Sequence, residues 1–484
     1  PVRGSALPDQ ERIDAVIGSD EHQRLNLELT RESVALLKNN GSLPFAAGDA
    51  KRIAVVGPLA DDAQNQLGDW AGSSGQVGWM PDGHPRGMIT TVLDGFRALA
   101  GDGCEVTYAR GANVIDLVPD PEGEFYPDGQ PRPKIGVSAP VDRALLDEAV
   151  AAAREADLIV AVVGDVVQLV GETCSTATLE LLGGQNALLD ALADVSRETG
   201  KPMVTVLVSS KPQVLPRSIV GDSGVLAGRC NDPKSGAGSI LWAPNPGMEG
   251  GQAIAEIILG EVNPSGRLPI TFPCHAGQLP VYYNQIRGQH GNRYADLTQD
   301  PAFAFGEGEG YTTFAYGEPT IVGGASNADG TFAQTDTVHA EIALTNTGRR
   351  AGTEVVQAYV ATSSPHTAGP TANSRRSAAS RSNRARPRPS CSTFRSATAP
   401  SPTRCEPHRR TRRVRAAHRP LVAPRRPQAH HLHRRVNLLC VRCSRVSRSR
   451  VNRFRVGLIC FRPLRSYAGA GGVVCAERSN DAEY

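Results

Sequence analysis

Two carboxylates stand in one short stretch, GDVVQLVGETCSTATLELLGGQ (164–185). Asp165 opens it. Glu172 sits in a Gly171-Glu172-Thr173 step, between an apolar Val-Gly pair and a Thr-Cys-Ser-Thr run. A carboxyl group partly withdrawn from water holds its proton more tightly, and a general acid working near neutral pH needs that. Glu172 is therefore the candidate proton donor. The plain alternative is a solvated or arginine-paired glutamate. Asp165 admits two readings as well, a second functional carboxyl or the cap of a turn or helix. Other chemistry has little support. IAVVGPLADD (53–62) has one Gly after an apolar run and lacks G-x-G-x-x-G, and nothing matches a P-loop. No His or Cys pair has zinc spacing outside the C-terminal tail, where HHLHRR (430–435) reads as part of an Arg-rich run. No metal and no cofactor is expected.

The elements around this stretch must hold it. DLIVAVVG (157–164) before it is a continuous apolar run, the mark of a strand buried on both faces. GGQNALLDALADVSRETG (183–200) after it reads as a helix. Further strands are expected at 51–57, 104–111 and 202–210, and helices at 92–101, 144–156 and 250–261. Residues 18–40 read as one helix capped by Ser19 or Asp20, with Leu25, Leu29, Val34 and Leu37 on one stripe. Strands alternating with helices argue for an α/β fold with a largely parallel sheet covered on both faces. Its open end, beyond the carboxyl ends of the strands, is where such sheets bind ligands.

The pattern changes near residue 319. VHAEIALTNTG (338–348) and GTEVVQAYVAT (352–362) alternate with period two around a turn, the start of an antiparallel β-sandwich. After Pro370 the chain becomes Arg-, Ser-, Pro- and Ala-rich. Residues 371–484 hold 27 Arg, no Lys and 4 acidic residues, so a tail of +23 offsets a body of −20 to give the net +3. Three readings of the tail stay open: a disordered basic segment that binds nucleic acid, a solvated tail without function, or GC-rich codons translated out of phase. The second and third carry no nucleic-acid partner, and none is expected. Four cysteines spread over the body do not make a disulfide framework and read as isolated thiols. No run approaches the roughly 18 apolar residues of a membrane span. The N-terminus lacks the charged and apolar regions of a secretion signal, and a first residue of Pro suggests a processed or truncated chain. The compartment stays open.

Seven motifs occur in order: RESVALLKNNGSLP, KRIAVVGPLADD, GETCSTATLELLGGQ, NPGMEGGQAIAEIILGEVNPSGRLPITFP, LPVYYN, FGEGEGYTTF and NTGRRAGTEVVQAYV. From about residue 20 to about 362 the chain resembles glycoside hydrolase family 3, the β-glucosidase and β-xylosidase family. The resemblance implies a TIM barrel, then an α/β sandwich, then a fibronectin-III-like domain. It implies retaining hydrolysis of terminal non-reducing β-D-glucosyl residues, with an aspartate nucleophile on the barrel and a glutamate acid/base on the sandwich. Glu172 matches that acid/base. A retaining pair stands roughly 5–5.5 Å apart, one carboxylate ionised and one protonated, so placing them on two domains suits their different environments.

The departures matter. Residues 1–45 look like the exit of a barrel and its linker helix, and no Ser-Asp-Trp motif of the nucleophile kind is present. Asp69-Trp70 lies within LGDWAGSSG and takes no nucleophile role. Ser175-Thr176 stands where the family often has Ser-Arg. VLAGRCNDPKSGAGSILW (225–242) departs from the usual run, and Trp242 is either a packed core residue or part of a sugar-facing wall. The resulting division is 1–45 barrel remnant and linker helix, 46–318 α/β sandwich, 319–364 truncated fibronectin-III-like domain and 365–484 tail. Glu172 is the expected acid/base, with Asp165 and Trp242 in support, a β-linked glucoside or oligosaccharide as ligand, and the barrel as partner domain. The chain alone is expected to be inactive. The alternative is a non-catalytic carbohydrate-binding or structural fragment.

Overall fold

In a computed structural model, the described residues are 9–71, 82–171, 174–221, 231–232, 235–283, 294–318, 320–323, 339–362, 384–388 and 452–457. Helices α1 (Gln10–Val16) and α2 (Asp20–Ser33) lead into strand β1 (Ala35–Lys38). Then come β2 (Arg52–Val56), α3 (Val92–Leu99), β3 (Glu105–Ala109), and a hairpin of β4 (Ile115–Val118) and β5 (Ile135–Ser138). Helix α4 (Arg143–Glu155), β6 (Leu158–Gly164), α5 (Gln185–Thr199) and β7 (Met203–Val208) follow. The short helix α6 (Arg217–Val220), β8 (Ser239–Ala243) and α7 (Gly250–Leu259) complete the main unit.

One sheet, in the order β1-β8-β7-β6-β2-β3, organises this unit. Its internal pairings are parallel, and only β1 runs antiparallel, along β8. Strands β6, β7 and β8 are buried at every position, as continuous apolar runs require when both faces are covered. Alternate residues serve opposite cores. Ile159, Ala161 and Val163 pack with Leu146, Leu188 and Leu192 of α4 and α5. Leu158, Val160 and Val162 pack with Phe96, Ile254 and Ile258 of α3 and α7. Helices α3 and α7 touch at glycine: a Cβ on Gly251 would lie 1.8 Å from the Thr91 carbonyl oxygen, so the GGQ entry of α7 is set by close approach.

Three sequence expectations are corrected. The helix read over 18–40 ends at Ser33, and all four residues of β1 are buried in the sheet. Its proposed stripe divides accordingly: Val34 and Leu37 are core, whereas Leu25 and Leu29 are exposed on α2. Helix α2 is held instead by Arg31, which forms a bidentate pair with the buried Glu256 of α7. The segments 338–348 and 352–362 do not pair with each other. Strand β11 (His339–Asn346) pairs with β9 (Phe314–Tyr316), β10 (Thr320–Gly323) and β14 (Asn452–Gly457), while β12 (Ala358–Thr362) pairs with β13 (Arg384–Arg388). Strands β13 and β14 come from the Arg-rich tail, to which the sequence assigns no fold. Finally, Cys104 and Cys174 are free thiols, but Cys274 is disulfide-bonded to a partner outside the described residues.

The family-like motifs after α7 act as connectors. Asn263 accepts from the Tyr311 N–H (2.7 Å) and donates to the Ala351 carbonyl (2.8 Å). Arg267 pairs with Glu354 at 3.0 Å, and Glu354 accepts from the Tyr316 hydroxyl at 2.9 Å. These contacts join the sheet unit to the strands that follow it. Among the described residues, no helix is long and apolar enough to cross a membrane.

Candidate active site

The stretch 164–185 leaves the carboxyl end of β6 and returns to the sheet at α5. Gly164 starts it at φ +150°, where a Cβ would lie 1.8 Å from the Val208 carbonyl oxygen, so no larger residue fits. The loop is closed by one side chain. Gln185, fully buried, accepts from the Gly164 N–H (2.8 Å) and donates to the Gly164 carbonyl (2.9 Å). It also donates to the Leu182 carbonyl at 3.0 Å. The free backbone groups at the strand end thus find partners inside the protein.

Other elements hold the loop from outside. Asn65, in the loop after β2, accepts from the Val167 N–H at 2.8 Å. Val166, Val167, Leu169 and Val170 are buried. Lys211, beyond β7, donates to the Leu169 carbonyl (3.1 Å) and to the Thr176 hydroxyl (2.9 Å). The Val214 N–H donates to the Leu179 carbonyl at 2.7 Å. Gly171 accepts from the Cys174 N–H (3.4 Å) and the Ser175 hydroxyl (3.3 Å). Glu172 itself lies outside the described residues, between these two anchored flanks in sequence.

Asp165 is buried, with its carboxylate paired to Lys211 at 3.2 Å and accepting from the Gln213 amide at 2.8 Å. Burial pushes its carboxyl above the ordinary range, and Lys211 and Gln213 pull the other way. The carboxylate caps no helix. It links the first residue of the loop to the Lys211 that grips the loop further on. Gln213 also lines a cleft of about 800 Å³ shared by Asn186, Arg217, Phe272, His275 and Tyr294.

Trp242 lies in β8, 3% exposed, with its ring edge-on to Phe272 at 5.3 Å and its indole N–H donating to the Ser209 carbonyl at 3.0 Å. This is the packed arrangement of the two that the sequence allowed; no ring face is open to solvent. Trp70, by contrast, is 56% exposed at φ +64° in the loop after β2. Among the described residues no cluster of three or more His, Cys, Asp and Glu side chains has metal-site geometry.

Sequence reasoning pointed to the loop and to Asp165, whose place in the structure is described, and to Glu172, which lies outside the described residues, but not to Gln185, Lys211, Gln213 or Asn65. Gln185 stands 21 positions from its partner and Gln213 stands 48 from Asp165, so no local pattern marks them.

Known proteins bear on this arrangement. The profile of the glycosyl hydrolase family 3 C-terminal domain matches residues 34–311. A periplasmic β-glucosidase of Salmonella typhimurium is 34% identical over 366 residues, 73% of this chain and 42% of the relative. A β-xylosidase of Formosa agariphila is 34% identical over 360 residues, 73% of this chain and 41% of the relative. A solved β-glucosidase involved in saponin metabolism from intestinal bacteria is 83% identical, with a TM-score of 0.70 over 73% of this chain and 46% of the other. The chain thus spans less than half the length of these relatives. Through the matched sheet, its loops and the motifs that follow it, this chain belongs to glycoside hydrolase family 3.

Proposed function

We propose that this chain is the acid/base-bearing part of a retaining β-glucosidase, with Glu172 as acid and then base. In that reading Glu172 protonates the leaving-group oxygen, while an aspartate on a barrel domain attacks the anomeric carbon. Glu172 then takes a proton from the water that hydrolyses the glycosyl-enzyme. The observation that carries the proposal is the anchoring of the 164–185 loop by Gln185, Asn65 and Lys211 at the carboxyl end of β6. A catalytic group needs such a support, because a proton donor misplaced by an ångström loses much of its effect. The 83%-identical β-glucosidase favours a glucosyl over a xylosyl substrate.

Asp165 then serves as a positioning residue, tying the loop to Lys211. The strands β9–β12 are the start of the fibronectin-III-like domain, and residues 1–45 the linker from the barrel. The chain alone does not turn over glucosides, because no nucleophile motif is present in it. An assay of the pure chain with 4-nitrophenyl β-D-glucoside tests this: turnover that disappears in Glu172→Gln overturns it. The acid role has its own test in a chain extended by a barrel. There Glu172→Gln should lower kcat/KM on alkyl glucosides by about 10²–10⁴ and spare kcat/KM on dinitrophenyl glucosides, whose leaving group needs no proton, while turnover of both slows at the base-assisted second step. Equal losses on both sink the assignment. The second reading, a non-catalytic carbohydrate-binding fragment, draws on the short span relative to known family members. Binding of cellobiose by calorimetry without any turnover in the extended chain favours it.

A further inference from the structure

The cleft of about 800 Å³ lies between the start of α5 and α6 on one side and the segments 272–277 and 294–303 on the other. Its walls are tied together within the protein. Phe272 bridges to Phe303, and the buried Gln278 accepts from the Cys274 N–H (2.7 Å) and donates to the Thr298 carbonyl (2.8 Å). Across the cleft the Ser218 hydroxyl of α6 donates to Asp190 of α5 at 2.6 Å. A ligand would meet a cleft already shaped, which lowers the cost of binding.

Two amide side chains in the wall are only half satisfied. Gln213, 3% exposed, donates through Nε2 to Asp165 at 2.8 Å. Asn186 donates through Nδ2 to the Leu181 carbonyl at 3.4 Å. The oxygens of both amides, Gln213 Oε1 and Asn186 Oδ1, are buried and have no hydrogen-bond partner. A buried acceptor left unpaired is costly, and each such group in a native protein calls for an explanation. An occupant of the cleft that donates hydrogen bonds supplies one.

Charge narrows the kind of donor. The described lining carries Glu180, Asp190 and Asp296 against Arg217. His275 accepts at Nδ1 from the Gly277 N–H (2.9 Å), so that nitrogen carries no proton. The excess of carboxylate in a recess disfavours an anion and favours an ammonium group. The fold already houses an ammonium on amide oxygens. The buried Lys38 donates to the carbonyls of Ile219 (2.7 Å) and Gly236 (2.8 Å), the first of them in α6. Beside the two amides the wall is hydrocarbon, at Val214, Leu215 and Phe272, which suits methylene groups.

We propose that this cleft binds a small aliphatic primary amine, with the ammonium on Gln213 Oε1 and Asn186 Oδ1 and the methylene groups along Val214 and Leu215. The proposal is independent of the glucosidase reading and of any role for Glu172. It needs both features of the ligand, a positive charge and N–H donors.

The test is calorimetric titration of the full chain at pH 7 with three probes on one five-carbon chain. 1,5-Diaminopentane has charge and donors, 1,5-pentanediol has donors without charge, and pentamethonium has charge without N–H donors. The diamine should bind at least about ten-fold more tightly than either of the others. Asn186→Leu, which replaces the acceptor with a side chain of similar volume, should weaken the diamine about five-fold, and Asp296→Asn on the exposed rim about two-fold. If Asn186→Leu fails to fold, the probe series on the unaltered chain still decides. Equal binding of the diol overturns the proposal, because charge then plays no part. Equal binding of pentamethonium overturns it as well, because the effect is then surface charge alone. So does a diamine affinity that falls in Asp296→Asn but not in Asn186→Leu, or no diamine binding at millimolar concentration.

Discussion

Two excursions leave the carboxyl edge of the same sheet, and they are held in opposite ways. The 164–185 loop after β6 buries its apolar residues and takes its hydrogen bonds from Gln185, Asn65 and Lys211. The β4–β5 hairpin after β3 is bonded strand to strand, reaches the loop only at its base through Ser138 and Gly183 among the bonds described, and leaves Leu117, Phe125, Tyr126, Ile135 and Val137 exposed. The described flanks of the loop are therefore tied to the domain beneath it. The hairpin keeps a local shape and has surface to spare. That contrast fits the proton donor proposed for the loop, which must be held in one place.

Breaking the tertiary anchors should cost the most. Lys211→Met leaves the buried Asp165 without its cation and should lower stability by about 4 kcal/mol at pH 7. The deficit should shrink toward acid pH. Burial already raises the Asp165 carboxyl, so the folded state binds that proton more tightly than the unfolded state does. Its contribution is complete below the unfolded value and is lost as pH rises through the folded one. Chemical denaturation of both proteins between pH 4 and 8 measures this, and a pH-independent deficit refutes it.

Lys38 sharpens the point in the edge strand β1, as a buried cation with no ion-paired carboxylate among the described residues. Its ammonium donates to the carbonyls of Ile219 (2.7 Å) and Gly236 (2.8 Å), and burial lowers its pKa to about 8, against a small opposing pull from Asp232. The unfolded state holds that proton up to its ordinary value of about 10.4, so stability should rise with pH across the interval between. The gain should be about 3 kcal/mol relative to Lys38→Met, measured by denaturation at pH 7.5 and 10.5. A flat difference would show that the two carbonyls fully replace water.

Gln185→Ala should cost about 2 kcal/mol, because the N–H and carbonyl of Gly164 lose their partners. Hydrogen exchange should quicken along 164–185 and stay unchanged in the hairpin. The smallest effect belongs to the hairpin. Arg132→Ala should leave global stability unaltered and accelerate exchange only at residues 115–138. Slower folding or a lower midpoint in that variant would mean that the hairpin is coupled to the core after all.

The motif that carries Glu172 was legible because a buried strand, a short polar step and a helix are local patterns. What holds it was not. Lys211 and Gln213 lie in an unremarkable KPQ step, and only the turn of the chain beyond β7 brings them under Asp165. The region 18–40 shows the converse failure. Leu25, Leu29, Val34 and Leu37 keep a helical spacing, yet the chain straightens after Ser33 because β8 offers β1 a ladder of backbone partners. Trp242 was ambiguous for the same reason: an aromatic at a strand position reads alike whether it meets Phe272 or a sugar.

By itself the sequence determined the class of fold, since continuous apolar runs separated by amphipathic helices can be buried only in a sheet with helices on both faces. It also determined the family, through motifs whose glycines and prolines set turns and close approaches. The tertiary structure alone decided the register of β1, the anchors of the 164–185 loop and the ionic partner of Asp165. Each of these depends on residues tens of positions apart, where side-chain bonds replace lost water and no local propensity can signal the partner.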